Sequence, residues 1–166
     1  VIGRGGYCVV VGADFCKGPV AVKKALISGP DVPDGPDSGP EAGKRAIMKR
    51  ELLVAVLNEV RILRHVRHPN IALFHGACLD PESKQVMLVL ERVNGPSLDS
   101  VITVRKWFRP TSPEADKQVK IMRQIVQALI YLHSRMPCIV HGDLKPKNII
   151  IEARSSSELF PKLLDF

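Results

Sequence analysis

The segment His141–Asn148 restricts this chain more than any other feature, because it reads HGDLKPKN directly after the apolar stretch Cys138–Val140. It places a carboxylate, an ammonium and a carboxamide in one loop, namely Asp143, Lys145 and Asn148. A carboxylate can orient a hydroxyl and accept its proton, an ammonium can neutralise a migrating anionic group, and an amide oxygen can hold Mg²⁺. We expect a buried strand before the loop. A merely polar loop rarely combines these groups, so the pattern favours phosphoryl transfer.

A second pair of charges comes from segments that lie far apart in the sequence. Lys23 ends the β-branched alternation Val20–Val22, which is typical of a strand. Glu59 shares one face of a predicted helix with apolar residues at helical spacing, Leu52, Val56 and Leu63. A carboxylate on an apolar face needs a partner, because a buried unpaired charge is costly. A buried ion pair between Lys23 and Glu59 is the more economical account, and two solvated side chains are the alternative.

The opening segment Gly3–Val10 reads GRGGYCVV and predicts a glycine-rich hairpin. Glycines allow a backbone to approach phosphates and to offer them its amides, although such a hairpin also occurs without a ligand. Cys8 stands where the pattern GxGxxG has its third glycine. Its side chain leaves less room for phosphates to approach the hairpin backbone.

Further elements follow from the same rules. The turn-like segment Cys16–Pro19 separates two strands, and the helix that carries Glu59 must end by His68-Pro69-Asn70, since the residue before proline avoids helical geometry. Strands are predicted at Ile71–Cys78 and Val86–Leu90, with Asp80–Ser83 as their turn. A second helix is predicted to end near Met136-Pro137, with one apolar stripe made of Met122, Ile125, Leu129 and Leu132.

The segment Ser28–Gly43 combines recurring proline and glycine with four acidic residues, so we predict a flexible insertion at about 28–45.

The net charge of the whole chain is +7, but Lys and Arg are scattered, and we therefore expect no nucleic acid partner. No apolar run, Val86–Leu90 included, is long enough to span a membrane, and the start at Val1 does not have the pattern expected of a signal peptide. The four cysteines form no CxxC pair. These features favour a cytoplasmic protein, and we expect the chain to be part of a longer one.

Taken with Leu163–Phe166, which reads LLDF, these motifs occur in the order found in eukaryotic-type protein kinase catalytic domains, and the chain resembles that family throughout except for the insertion. The resemblance implies an α+β, bilobal fold. Residues 1–93 would form the small lobe, and 94–166 the hinge at Asn94-Gly95-Pro96 and part of the large lobe. The sequence stops at the DF of a DFG motif, so we expect the chain by itself to be inactive.

The resemblance also implies the ligands, ATP and Mg²⁺, and a role for each site residue. Adenine would lie between Ile2, Val10 and Ala21, beside Leu90 as gatekeeper, and would bond to the backbone of Glu91 and Val93. Phosphates would meet Gly3, Gly5 and the Lys23–Glu59 pair. Asp143 and Lys145 would be catalytic, Asn148 and Asp165 would bind Mg²⁺, and His141 would brace the loop.

Three functions remain open at this stage. Lys145-Pro146 is similar to the loop of serine/threonine kinases, and His75–Pro81 resembles their tyrosine-kinase-like group, so protein serine and threonine hydroxyls are the expected acceptors. Aminoglycoside and choline phosphotransferases often share HGDLxxxN, but the Lys, the HPNI turn and the glycine-rich start favour the protein kinase. Cys8 and Gly142, which replaces the usual Arg of HRD, raise the alternative of a pseudokinase scaffold.

Overall fold

A computed structural model of the chain describes residues 1–4, 8–25, 40–80, 86–105, 115–155 and 158–165. The chain divides into two compact units, one comprising Val1–Arg64 with Phe74–Arg92 and the other His65–Leu73 with Val93–Phe166. The second unit thus includes the segment His65–Leu73. The lobes predicted from the sequence, residues 1–93 and 94–166, stay a prediction.

The first unit contains a five-stranded antiparallel sheet. Its strands follow the spatial order β1-β2-β3-β5-β4 and are β1 Gly3–Arg4, β2 Cys8–Phe15, β3 Gly18–Ala25, β4 Phe74–Leu79 and β5 Val86–Glu91. The predicted turn joins β2 to β3 through Cys16 and Lys17, whose φ angles are 51° and 66°. Two successive positive φ angles suit the right-handed twist of a two-residue hairpin, which explains why β2 and β3 pair along their full length.

Helix α1, Pro40–Leu63, packs against the sheet of the first unit. Its buried face contains Val56, Glu59 and Leu63, as the spacing predicts. The helix begins before the end of the expected insertion, because proline is tolerated in a first helical turn, where its missing N–H has no helical partner. Residues 28–39 of that insertion lie outside the described residues.

The second unit is built from helix α2 Leu98–Arg105, helix α3 Ala115–His133, a short 3₁₀ turn Pro146–Asn148 and a two-stranded sheet, β6 Ile149–Ala153 with β7 Leu159–Leu163. No helix within the described ranges is both long and apolar enough to cross a membrane.

The buried stripe of α3 differs from the predicted one, since it consists of Ile121, Ile125, Ala128 and Leu132. Met122 is 51% exposed. The reason is that both Ile121 and Met122 are apolar, so the sequence admits two overlapping stripes, and packing selects the one that contains Ile121 and Ala128. Of the predicted stripe, Ile125 and Leu132 are confirmed as buried, and Leu129 is half-buried.

The segment after α1 docks on the second unit instead of extending β4. The buried Asn70 side chain donates from its Nδ2 atom to the carbonyl oxygen of Pro161 and to Oε1 of Gln124, both at 2.9 Å. The Ile71 backbone forms a parallel bridge with Leu163. The prediction of a strand from Ile71 was therefore wrong at its start, because these backbone groups pair with β7, and β4 begins only at Phe74.

Gly95 is a position where the second unit admits no side chain. A Cβ atom there would overlap the carbonyl oxygen of Ile151 and lie 2.9 Å from its carbonyl carbon. We expect Gly95→Ala to lower the free energy of unfolding by about 2–4 kcal/mol, because the obstacle is backbone and cannot rotate away. Urea denaturation checks this, with Gly76→Ala as control because its Cβ would meet nothing within 4 Å. Equal stability of the two variants would contradict the prediction.

Candidate active site

The predicted ion pair between Lys23 and Glu59 is formed within the first unit. Lys23 Nζ on β3 donates to Oε1 of Glu59 at 2.8 Å and to Oε2 at 3.0 Å. Glu59 is 7% exposed, although it lies on a helix. Both carboxylate oxygens thus accept a hydrogen bond from one ammonium group, which offsets much of the cost of burying the acid.

The sheet of the first unit has one face that carries the predicted adenine-binding side chains. Residues directly opposite each other in antiparallel strands share a face. Val10 lies opposite Lys23, and Ala21 lies opposite both Gly12 and Leu90. One surface therefore presents the apolar group Val10, Ala21 and Leu90, with the Lys23 ammonium adjoining it.

Ile2 and Gly3 lie beside this surface at the start of the chain. The Ile2 amide donates to the Val10 carbonyl oxygen at 2.8 Å, and Gly3 pairs with Val10 in the sheet. The Ile2 side chain is half exposed. Gly5 lies outside the described residues. Glu91 ends β5 opposite Val20, and Val93 is the second residue after it, half-buried in the second unit.

The HGDLKPKN loop brings together the three side chains that the sequence singled out. Lys145 Nζ donates to Oδ2 of Asp143 at 2.5 Å, and Asn148 Nδ2 donates to the same oxygen at 2.9 Å. Asn148 Nδ2 also lies 3.0 Å from the backbone oxygen of Asp143. Asn148 is buried and sits at the end of the 3₁₀ turn, whereas Asp143 and Lys145 are exposed. The loop thus fixes one carboxylate oxygen from two sides.

The expected strand before the loop is absent, because residues 138–141 have irregular backbone and Val140 is largely exposed. Only His141 of this stretch is buried. Gly142 follows with a φ of 79°, a conformation that glycine adopts without steric cost, and a Cβ there would meet nothing within 4 Å.

The surroundings of the loop lower the pKa values of two of its titratable groups, Asp143 and His141. Hydrogen bonds from Lys145 and then from Asn148 lower the pKa of Asp143 below its ordinary value, so this carboxylate is ionised at neutral pH. Burial lowers the pKa of His141, although backbone hydrogen bonds and the charges of Asp143 and Asp165 oppose the effect. At neutral pH, His141 is therefore uncharged while Asp143 is ionised.

A backbone hydrogen bond brings the segment that carries Asp165 beside Asn148. The amide of Leu164 donates to the carbonyl oxygen of Asn148 at 2.9 Å, and Asp165 follows with a φ of 54°. A non-glycine residue with positive φ is uncommon and costs free energy. The second unit thus places two oxygen-bearing side chains, the Asn148 amide and the Asp165 carboxylate, on adjoining backbone.

Sequence reasoning missed two features around these residues. It did not single out Arg92, whose guanidinium lies against Gly12 on the face that carries Ala21. The available signal was Gly12, which directly follows the β-branched run Val9–Val11, because a glycine inside a strand weakens it. It also missed the Asn70 contacts, which require knowing that β7 is adjacent.

The sequence model of the protein kinase domain matches residues 41–166. The chain is 31% identical to Serine/threonine-protein kinase VIK of Arabidopsis thaliana over 166 residues, which cover all of this chain and 32% of that protein. It is 41% identical over 109 residues to U-box domain-containing protein 33 of the same plant, covering 65% of this chain and 12% of the relative. The chain therefore spans about a third or less of these curated relatives.

A solved structure of similar fold is that of Rad53 residues 1–466 in complex with AMP-PNP. The match has a TM-score of 0.72 at 27% identity, and it covers all of this chain and 37% of the other. The similarity thus extends over both compact units, including residues that precede the matched kinase segment.

Proposed function

Because the chain belongs to the protein kinase family, we propose that it is the nucleotide-binding and catalytic-loop part of an ATP-dependent enzyme that phosphorylates serine and threonine hydroxyls of proteins. The first unit has the five-stranded sheet and helix of a kinase small lobe, and the second has the beginning of the large lobe. The observation that carries the proposal is the hydrogen-bonded group formed by Asp143, Lys145 and Asn148.

This group is suited to activating an alcohol. Asp143 is ionised, so it can orient a substrate hydroxyl and receive its proton as the oxygen attacks phosphorus. Lys145 is exposed and lies beside the Asp143 carboxylate, so its ammonium can neutralise charge on the transferred phosphoryl group. The Asn148 carboxamide donates to the same carboxylate and keeps it in place. Because the contacts lie within one short loop, they keep their mutual geometry.

The Lys23–Glu59 pair would supply the nucleotide contact of the first unit. An ammonium already oriented by a buried carboxylate loses less side-chain freedom when it binds phosphate oxygens. Val10, Ala21 and Leu90 offer an apolar surface for adenine beside it. The backbone of Glu91 and Val93 would hold the purine edge.

The donor chemistry of Asn148 and Asp165 fits Mg²⁺. The amide nitrogen of Asn148 is used by Asp143, which leaves the oxygen as the atom for a hard cation, and Asp165 adds a carboxylate from adjoining backbone. Bound Mg²⁺ would neutralise the phosphates and polarise the transferred group.

Serine and threonine are the favoured acceptors because the loop segment Lys145-Pro146 is similar to that of serine/threonine kinases. The relatives that carry the words serine/threonine-protein kinase in their names support the same acceptor class. A scaffold without activity is the second candidate, and the observations that favour it are Cys8 on β2 and Gly142 in the loop.

The test uses the full-length protein with radiolabelled ATP and Mg²⁺, and offers casein, histone, kanamycin and choline in parallel. We expect labelled phosphoserine and phosphothreonine after acid hydrolysis of the protein substrates, and no label on the small molecules. Phosphotyrosine alone would contradict the acceptor class, and label on kanamycin or choline would indicate the small-molecule enzyme. Measurable ATP binding with no transfer to any acceptor would favour the scaffold.

A further inference from the structure

We propose that Arg92 is a purine-binding residue whose guanidinium stacks on the adenine ring of bound nucleotide, and that Gly12 provides the space it occupies. This inference rests on the proposed function, because it takes the surface of Val10, Ala21 and Leu90 as the adenine site. It adds a cationic group to a surface for which the sequence indicated only apolar side chains and backbone hydrogen bonds.

The contact between Arg92 and Gly12 is the first step of the argument. A Cβ atom at position 12 would lie 3.2 Å from Nη1 and 3.6 Å from Cζ of Arg92, and 3.7 Å from Cδ1 of Ile2. The guanidinium therefore packs against the place where a side chain of residue 12 would begin, next to Ile2. Any larger residue at position 12 would have to share this space with the guanidinium.

The sheet register determines which surface the guanidinium lies on. Gly12 is directly opposite Ala21, and Ala21 is directly opposite Leu90, so the missing side chain of Gly12 belongs to the same face as both. Val10 is two residues earlier in β2 and shares this face. Arg92, which packs against that position, thus lies on the proposed adenine surface and not on the opposite face with Val20 and Val22.

The position along β2 distinguishes the purine from the phosphates. The glycine-rich segment precedes Val10, and Lys23 lies opposite Val10, whereas Gly12 is about 7 Å further along the strand in the other direction. Arg92 also follows Glu91 directly, and the Glu91 backbone is the proposed partner of the adenine edge. The guanidinium is therefore at the purine end of the surface, remote from the phosphate-binding groups.

The chemistry of arginine suits this place. Its planar guanidinium stacks on aromatic faces, and it is more weakly hydrated than an ammonium, so it loses less solvation free energy against a ring. Arg92 is exposed, so the group is available to a ligand. Glycine in the interior of a strand destabilises the sheet, and it occurs where a ligand or another chain segment approaches closely. At position 12 the approaching group is Arg92.

The experiment measures the binding of MgATP and of adenosine to the full-length protein by titration calorimetry. We expect Arg92→Ala to raise both dissociation constants by the same factor, about three- to tenfold, because stacking acts on the ring that the two ligands share. Arg92→Lys should recover little of this loss, since an ammonium keeps the charge but lacks the plane. Lys23→Met, in contrast, should weaken MgATP and leave adenosine unchanged.

Gly12→Ala tests the pairing of the two residues. It should weaken both ligands in the parent protein and have no effect in the Arg92→Ala background, because a Cβ only 3.2 Å from Nη1 acts by shifting the guanidinium. Gly76→Ala and Arg50→Ala are the controls: a Cβ at Gly76 meets nothing within 4 Å, and Arg50 is exposed on α1.

Three results would overturn the inference. If Arg92→Ala weakens the binding of MgATP but not of adenosine, Arg92 contacts the phosphates and not the ring. If it changes neither dissociation constant, Arg92 does not contact the nucleotide. A Gly12→Ala effect of equal size in both backgrounds would mean that Gly12 does not act through Arg92. In all of these, the proposed function survives if Lys23→Met still weakens MgATP. Binding of neither ligand by the parent protein would overturn both proposals.

Discussion

Replacing Lys23 with Met should lower the rate of phosphoryl transfer by at least about a hundredfold in the full-length protein. Methionine has a similar length and fills the same space, but it offers no charge to the phosphates and no hydrogen bond to Glu59. The two contacts of 2.8 and 3.0 Å from Nζ to the Glu59 carboxylate would both be lost. The measurement is the initial rate of label transfer at saturating protein substrate.

The neighbouring lysine supplies the control for this prediction. Lys24 lies opposite Val9 and Met87 on the other face of β3, so Lys24→Met changes the same charge in the same strand away from the site. Its rate should stay within about twofold of the parent, as expected for a substitution remote from the reacting groups. An equal loss of transfer rate in both variants would mean that the rate depends on the net charge of the sheet and not on the Lys23–Glu59 ion pair.

A loss of folding must be separated from a loss of chemistry, because Lys23→Met leaves Glu59 buried and unneutralised. Breaking a buried pair at one partner costs about 3–5 kcal/mol. Adding Glu59→Gln removes that charge, so the double variant should regain much of the stability while its activity stays low. A double variant that regains activity would show that Lys23 serves the fold alone.

The geometry of the candidate site was predictable where a buried charge requires a partner or where the residues stand close together in the chain. Glu59 on an apolar helix face demanded a cation, and Lys23 at the end of a strand alternation was the available one. Asp143, Lys145 and Asn148 stand so close in the chain that almost any compact loop brings them together. In both cases the cost of an unpaired charge or the shortness of the loop decides the result, and the sequence displays both.

The parts that sequence reasoning missed depend on partners distant in the chain. Ile71 resembles a strand residue, and only the presence of Leu163 beside it explains why β4 begins later. Met122 and Ile121 are equally apolar, and the neighbours of α3 decide which is buried. Gly12 and Arg92 are separated by most of the first unit, and their contact follows from the pairing of β3 with both β2 and β5.

The role of Asp143 yields the prediction with the largest expected effect. Asparagine has the same shape as aspartate but cannot accept a proton, so Asp143→Asn should lower the rate of transfer by about 10²–10⁴-fold. MgATP affinity should change by less than about threefold, because the proposed nucleotide contacts lie on the sheet of the first unit and on Asn148 and Asp165. The control is Asp116→Asn, an exposed acid in the first turn of α3.

The pH dependence of the proposed transfer in the full-length protein supplies an independent check on the same residue. The pKa of Asp143 lies below the ordinary carboxyl value of 3.8, because Lys145 and Asn148 donate to its ionised form. The reactive carboxylate is therefore fully present above that value and is lost only as the pH falls through the lowered pKa, so Asp143 should cause no decline in rate between pH 5 and 8. In Lys145→Met the pKa should rise toward 3.8, since the first of the two donors is gone. An acid limb near pH 6 that disappears in Asp143→Asn, or a variant that retains the parental rate, would contradict the assignment of Asp143 as the proton acceptor.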